Sequence, residues 1–432
     1  MRGAAVLGHL RRGSLRRTAP RDRAGVTLAE LILATGLASI VVAATVSIVD
    51  TTLSLWTRGE TVRQAREEAA AVLSILGDDL RQVHGGEQGD LLVDWELFDV
   101  ERDGVVERLH PRLRFVRDAA ASEVARIERR RLASEARAER DRIALAAGDD
   151  AAKLAEALSE LELLEAAGVS AEQAAQGMLG APDLRASRLV EVLYAVVPEG
   201  REGDRRYTGV LYRAERIHSP DTPPVLLGDD AFDRRGMPDL NLAREVARGV
   251  LWMQPLMATQ TTRLTPGEDG RSGWGTERSA AGAATSWDAW RLGRPDPDLT
   301  FLNEPSPGMP RAGDRPLLPR RVRVTLEIQR PGDFDRAPRL LESAEESAEF
   351  FVVTNGAALR PAVGGHVLVA GEWMELKRVT GDRAVVRRAT RGTTRRRLPM
   401  ESRVLFGESV EMDIPIALHE DNWRLSAGDD DR

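Results

Sequence analysis

An apolar stretch near the N-terminus constrains the fold of this chain more than any other feature. Residues 26 to 49 form an apolar run after an arginine-rich leader, and its length is enough for one helical crossing of a hydrocarbon layer. One ionisable residue, Glu30, lies inside the run, five positions after Gly25. A cleaved signal peptide has a shorter apolar core that precedes its cleavage site. The stretch therefore favours a retained membrane helix, and the cost of a carboxylate in lipid, about 3 kcal/mol, indicates that Glu30 has a role.

The residues that lead up to Glu30 follow a recognisable pattern. The segment Gly25–Glu30 reads GVTLAE and resembles the type IV prepilin and pseudopilin class, whose members carry glycine, an aromatic or aliphatic residue, threonine, leucine, an apolar residue and glutamate. The resemblance implies that a prepilin peptidase cleaves between Gly25 and Val26, that Val26 is N-methylated, and that Glu30 acts in filament assembly. Val26 and Ala29 depart from the residues that are commonest at their positions. The alternative is a plain signal anchor whose Glu30 extends to the membrane interface.

The predicted N-terminal helix covers residues 26–84 and spans the membrane to about residue 49. Beyond Asp50, apolar residues recur at helical spacing while charged residues, Asp79 among them, fall off that stripe, so this half is expected to pack on a sheet. The leader charges predict a cytoplasmic N-terminus with the globular part on the other side of the membrane, in a single-pass protein. The resemblance implies that this membrane is the inner membrane and that the globular part is periplasmic. The side chains expected in the membrane are Leu28, Leu31, Ile32, Leu33, Leu37, Ile40, Val41 and Val42.

The remaining sequence predicts an α+β, pilin-like fold with two insertions in an antiparallel sheet domain. Leu73–Val83 and Leu318–Ile328 are similar to segments of minor pseudopilin J proteins, and alternation makes the second a clear strand. The predicted regions are a removed leader (1–25), the helix (26–84), a β domain (85–118 and 185–360) with a mobile loop (259–316), a helical hairpin insertion (119–184), a small β-rich insertion (361–408), and a final strand with an acidic tail (409–432).

Composition excludes several kinds of chemistry. The chain has no cysteine and a net charge of −7, which rules out thiolate chemistry and argues against a nucleic-acid partner. Neither a phosphate-binding loop nor paired metal-ligand histidines occur, so we expect no cofactor, no metal and no enzymatic activity. Two weaker signals are a calcium site at Asp296 and Asp298 and binding of an anionic surface by the basic segment Arg387–Arg397.

The resemblance implies a minor pseudopilin of a type II secretion system, a structural subunit at the pseudopilus tip. Its partners would be the other minor and major pseudopilins, the prepilin peptidase and the inner membrane. One alternative is a minor pilin of a type IV or competence pilus. Another is a single-pass membrane-anchored binding protein or enzyme.

Overall fold

The fold is α+β, with one long N-terminal helix and antiparallel sheets, which confirms the predicted class at that level. The computed structural model describes residues 27–98, 107–131, 133, 142, 188–200, 207–218, 231, 238–239, 242–258, 264–266, 272–274, 287–290, 315–330, 332–391 and 393–417. The chain divides into two units, residues 1–60 and residues 61–432.

Helix α1 covers Leu28–Arg81 without a break, and Gly36 and Gly59 lie within it. Alanine, leucine, arginine and glutamate, which are strong helix formers, dominate its second half. The sequence predicts a helix as far as position 84, but the structure ends it earlier because Val83 forms a β-bridge with Arg117.

An eight-stranded antiparallel sheet forms the main body of the second unit. Its order is β15-β9-β5-β4-β3-β2-β1-β8, so the last strand lies at one edge and pairs along its length with β9. The strands are β1 Leu91–Phe98, β2 Glu107–Asp118, β3 Leu189–Pro198, β4 Gly209–Ile217, β5 Ala243–Ala258, β8 Trp287–Asp288, β9 Arg321–Ile328 and β15 Glu408–Pro415.

The apolar stripe in the second half of α1 covers one face of this sheet. Leu73, Leu76 and Leu80 are fully buried in one core cluster with Phe115 of β2 and Tyr194 of β3. Burying each leucine contributes about 2 kcal/mol relative to exposure. This stripe fixes which face of the helix meets the sheet.

Part of the predicted mobile loop belongs to the folded body. Within 259–316, Trp287 and Asp288 form β8 and pair with β1. The indole Nε1 of Trp287 donates to Leu317 O and that of Trp290 donates to Gly89 O, both at 2.9 Å. Earlier in the loop, β6 Leu264–Pro266 pairs with β7 Ser272–Trp274. Residues 287–290 of the predicted loop are therefore held on the sheet by the buried indole of Trp287 and the partly buried indole of Trp290.

A second sheet of five strands follows β9. Its order is β10-β13-β12-β11-β14, and it begins at Phe350, before the start at 361 that the sequence suggested for the β-rich insertion. The strands are β10 Phe350–Val352, β11 His366–Val369, β12 Glu372–Thr380, β13 Arg383–Arg387 and β14 Val404–Leu405; a short helix, α3 Asp333–Arg336, and a 3-10 helix, Gly356–Ala362, precede β11.

The segment 338–341 lies between the two edges of the second sheet. Leu340 N donates to Ser402 O beside β14, and Leu341 N donates to Val352 O in β10. Since β14 and β10 are the edge strands, these bonds close the sheet into a small barrel, which removes its open edges. We call this body, residues 338–405, the barrel.

Residues 121–131, which we call α2, are helical and lie at the start of the predicted helical insertion 119–184. Apart from residues 119, 120, 133 and 142, the rest of that insertion lies outside the described residues. So do the leader, the tail after residue 417, and Asp296 and Asp298 of the calcium hypothesis.

Candidate functional site

The first unit presents an apolar helical surface. Leu28, Leu31, Ile32, Leu33, Leu37, Ile40, Val41 and Val42 are all exposed, each by more than half of its surface. Within the part of the chain that the structure describes, α1 is the one helix long and apolar enough to cross a membrane. Gly25 and Val26, the predicted cleavage and methylation positions, lie outside the described residues.

Hydroxyl groups along this part of α1 are satisfied within the helix itself. Thr35 and Thr45 donate to the backbone carbonyls of Leu31 and Val41, four residues earlier. Ser39, Thr51, Thr52 and Thr57 do the same. A hydroxyl that is bonded in this way leaves no unpaired donor to lipid, where each such group costs several kcal/mol. The polar residues of the segment are therefore compatible with an apolar surrounding.

Glu30 forms a capping box with Thr27 at the start of α1. Thr27 N and Thr27 Oγ1 donate to Glu30 Oε2 at 2.9 and 3.0 Å, and Glu30 N donates back to Thr27 Oγ1 at 3.3 Å. This reciprocal arrangement satisfies backbone donors that the first helical turn leaves unpaired. The two hydrogen bonds that the Glu30 carboxylate accepts from Thr27 both go to Oε2. The second carboxylate oxygen, Oε1, therefore remains available as an acceptor among the described residues.

A buried charged network joins α1 to the main sheet. The sequence pattern put Asp79 off the apolar stripe, but the structure buries it among arginines. Its carboxylate accepts hydrogen bonds from Tyr194 Oη at 2.6 Å and Arg213 Nε at 2.7 Å, and Arg117 Nε lies 3.1 Å away. Burial, and then the Asp79 charge, raise the pKa of Tyr194 well above its usual value. Asp79 stays in the core because these two donors and the Arg117 charge replace its water.

Glu215 extends this network from β4 to α2. Its side chain is 1% exposed and forms ion pairs with Arg126 at 2.9 Å, with Arg130 at 2.8 Å and with Arg213. Burial alone would raise the pKa of Glu215, but the Arg213 charge and the Arg126 hydrogen bond outweigh it and lower the pKa to about 2. In addition, Arg117 of β2 pairs with Glu123 of α2. The network therefore fastens α2 to the same sheet face as α1.

Arg391 lies at the contact between the barrel and the main sheet. Its guanidinium is 4.2 Å from the ring centre of Trp373 and 5.3 Å from that of Trp252. Arg391 Nη1 also donates to Glu327 of β9 at 2.7 Å. Burial raises the pKa of Glu327 in spite of the Arg391 charge. Cation–π contact and the ion pair together hold Arg391 in place.

The basic segment Arg387–Arg397 lies partly inside the protein and partly at its surface. Arg388 is buried and pairs with Glu372 through two bonds of 2.7 and 2.6 Å. Arg387 pairs with Glu375, and Arg397 with Glu345. Arg387 and Arg397 remain exposed in these pairs, so binding of an anionic surface by the segment stays a prediction.

The described histidines lie in separate environments. His84 is 3.2 Å from Asp118 and His218 is 2.9 Å from Glu191. His110 is buried against Trp252, and this burial lowers the pKa of His110 to about 3. Burial, and then the charge of Arg391, lower the pKa of His366 to about 4. Among the described residues, no three histidine, aspartate or glutamate side chains are grouped so as to hold a metal ion.

No family model and no curated protein matches this chain.

Proposed function

We propose that this protein is a minor pseudopilin of a type II secretion system, a filament subunit that is processed between Gly25 and Val26. The observation that carries the proposal is the combination of Gly25 with Glu30, which is the one ionisable residue among positions 28 to 49. A carboxylate within a membrane helix costs about 3 kcal/mol, so its presence favours a role beyond holding the protein in lipid.

The geometry of Glu30 supports a role in assembly. One carboxylate oxygen is taken up by Thr27 and the other has no hydrogen-bond partner among the described residues. In low dielectric, a free carboxylate oxygen favours a cationic partner. The ammonium group of a neighbouring subunit, created by cleavage before its own Val26, would supply that charge and set the axial register of the filament.

The exposed apolar side chains support the same proposal. Residues such as Leu33 and Ile40 are exposed all along the first unit, and a surface of this size is covered either by lipid or by other helices. In the proposed cycle, lipid covers it before assembly and helices of the major and minor pseudopilins cover it afterwards. The globular unit would then stand at the filament tip.

The N-terminus of the mature protein provides the first test. Mass spectrometry of the membrane-extracted chain should show a first residue of Val26, with or without a methyl group. A chain that retains its leader, or that is cut after the apolar run, would overturn the proposal. Co-purification with secretion-system subunits, rather than with pilus subunits, would separate a pseudopilin from a minor pilin of a type IV or competence pilus.

A second test addresses Glu30 itself. With the companion subunits co-expressed, Glu30→Gln should remain in the membrane but lose cross-linking to neighbouring subunits. The matched control is Asp50→Asn, which changes the next ionisable residue along the same exposed helix and should cross-link as the unchanged protein does. Equal cross-linking of both variants would mean that Glu30 is not an assembly residue.

The capping box favours one rival function. Because Glu30 completes a reciprocal bond pair with Thr27, it has a structural use even in a plain membrane anchor. A single-pass anchored binding protein or enzyme would keep its leader, and its Glu30→Gln variant would show no assembly defect. Both tests above therefore distinguish this rival from a filament subunit.

A further inference from the structure

The buried charged network carries more positive than negative charge on the face of the sheet that holds α2. Four arginines form its ion pairs, namely Arg117, Arg126, Arg130 and Arg213, and a fifth, the exposed Arg244, lies opposite Arg213 on β5. Three carboxylates oppose them, namely Asp79, Glu123 and Glu215. The described network therefore has an excess of two positive charges.

Among the described residues, two buried nitrogens of this network, Arg117 Nε and Arg130 Nη1, make no hydrogen bond, and the first of them lies 3.1 Å from the Asp79 carboxylate. Arg130 Nη1 is buried and makes no hydrogen bond, although Nη2 of the same side chain donates to Glu215 at 2.8 Å. Among the described residues, Arg244 forms no ion pair, although it stands opposite Arg213 in the register between β4 and β5. Burial and then the charges of Arg130 and Arg126 lower the pKa of Arg244. A buried donor without an acceptor is costly and is normally satisfied by a ligand, an ion or ordered water.

The cluster is accessible to a small ligand from solvent. The Arg126 side chain is 38% exposed and Arg244 is exposed, whereas Glu215 is 1% exposed. Arg244 and part of Arg126 therefore face solvent, whereas Arg130 Nη1 and Glu215 lie beneath the surface.

We propose that Arg126, Arg130 and Arg244 form a binding site for a phosphate group. A tetrahedral phosphate offers more acceptor oxygens than a carboxylate and can bridge several guanidinium groups at once. The double negative charge of phosphate matches the excess of two positive charges in the network. The site depends neither on the apolar helix nor on Glu30, so it stands apart from the filament proposal.

Calorimetric titration of the full chain with inorganic phosphate tests the site. The protein is held in nonionic detergent micelles at constant ionic strength, so that general charge screening stays fixed. We expect saturable binding of one phosphate per chain, weakened at least tenfold in Arg244→Gln. Arg244 is exposed and has no described ion-pair partner, so this substitution should leave folding intact. An unchanged tryptophan fluorescence spectrum checks that expectation.

Arg248→Gln is the matched control, because Arg248 lies on the same strand but pairs with Glu245 outside the cluster. It should bind phosphate as the unchanged protein does. Absence of saturable binding up to about 10 mM phosphate, or equal affinities of the unchanged chain and Arg244→Gln, would overturn the proposal.

A second titrant distinguishes a free phosphate ion from a phosphate monoester such as a lipid headgroup. Glycerol 3-phosphate that binds as tightly as inorganic phosphate, with the same dependence on Arg244, assigns the site to monoesters. Glycerol 3-phosphate that binds at least tenfold more weakly assigns it to the free ion.

Discussion

Replacing Glu215 by glutamine should destabilise the second unit strongly, because Glu215 is the buried carboxylate on which three arginines converge. The substitution keeps the shape of the side chain and removes its charge. The guanidinium groups of Arg126, Arg130 and Arg213 would then share a neutral amide at a position that is 1% exposed.

The expected loss in the free energy of unfolding follows from the pKa of Glu215, which folding lowers from 4.5 to about 2. Each unit of difference corresponds to about 1.4 kcal/mol, so the ionised carboxylate contributes about 3 kcal/mol at neutral pH. Breaking other buried ion pairs by removing one partner costs about 3 to 5 kcal/mol. We therefore expect a loss of about 3 kcal/mol in the free energy of unfolding.

Urea unfolding of the full chain in detergent micelles, followed by tryptophan fluorescence, measures this loss as a lower midpoint at constant slope. The pH dependence gives a sharper test. Since the pKa of Glu215 is lowered by folding, its contribution is complete above pH 4.5 and disappears as the pH falls towards 2. The gap in stability between the unchanged protein and Glu215→Gln should narrow over that window.

Glu245→Gln is the control for this experiment, because Glu245 pairs with Arg248 at the surface and such pairs contribute less than about 1 kcal/mol. A loss below about 1 kcal/mol in Glu215→Gln, or a gap that stays constant between pH 5 and pH 2, would refute the buried ion-pair argument.

The remaining predictions concern the two cores of the second unit. Leu76→Ala removes a fully buried side chain from the contact between α1 and the main sheet. In the same urea assay it should lower the free energy of unfolding by about 2 to 5 kcal/mol. The control Ile75→Ala, at an exposed neighbouring position, should lower it by less than about 1 kcal/mol. Glu372→Gln leaves Arg388 buried without its carboxylate in the barrel and should cost about 3 to 5 kcal/mol; a midpoint unchanged from the original protein would contradict the pairing.

The long helix and the clearest strands could be predicted because their side chains repeat with the period of the element. Leu73, Leu76 and Leu80 recur at helical spacing and are buried on one face of α1. Val322 and Val324 of β9 alternate with half-buried residues and are buried on one face of the sheet. Such periods depend only on the local chain, so they are visible without knowledge of the partner element.

The charged network could not be predicted in this way. Asp79 has the same local surroundings as an exposed helical residue, and its burial depends on Tyr194 and Arg213, which are more than 100 positions away along the chain. The sequence predicts a β-rich insertion from residue 361, whereas the barrel begins at residue 338, for a related reason. The segment 338–341 contains no alternating pattern, yet its backbone bonds both edges of the sheet.

The composition of the chain acquires a physical meaning at these buried sites. Lysine occurs only at Lys153 and Lys377 among 61 basic residues, a bias that indicates nothing by itself. Arg388 donates through Nε and Nη2 to Glu372, through Nη1 to two backbone carbonyls, and again through Nη2 to Arg396 O. A lysine ammonium group has three donors and no planar fork, so it could not satisfy these acceptors together. Arginine is therefore required wherever this protein buries a positive charge among several acceptors that point in fixed directions.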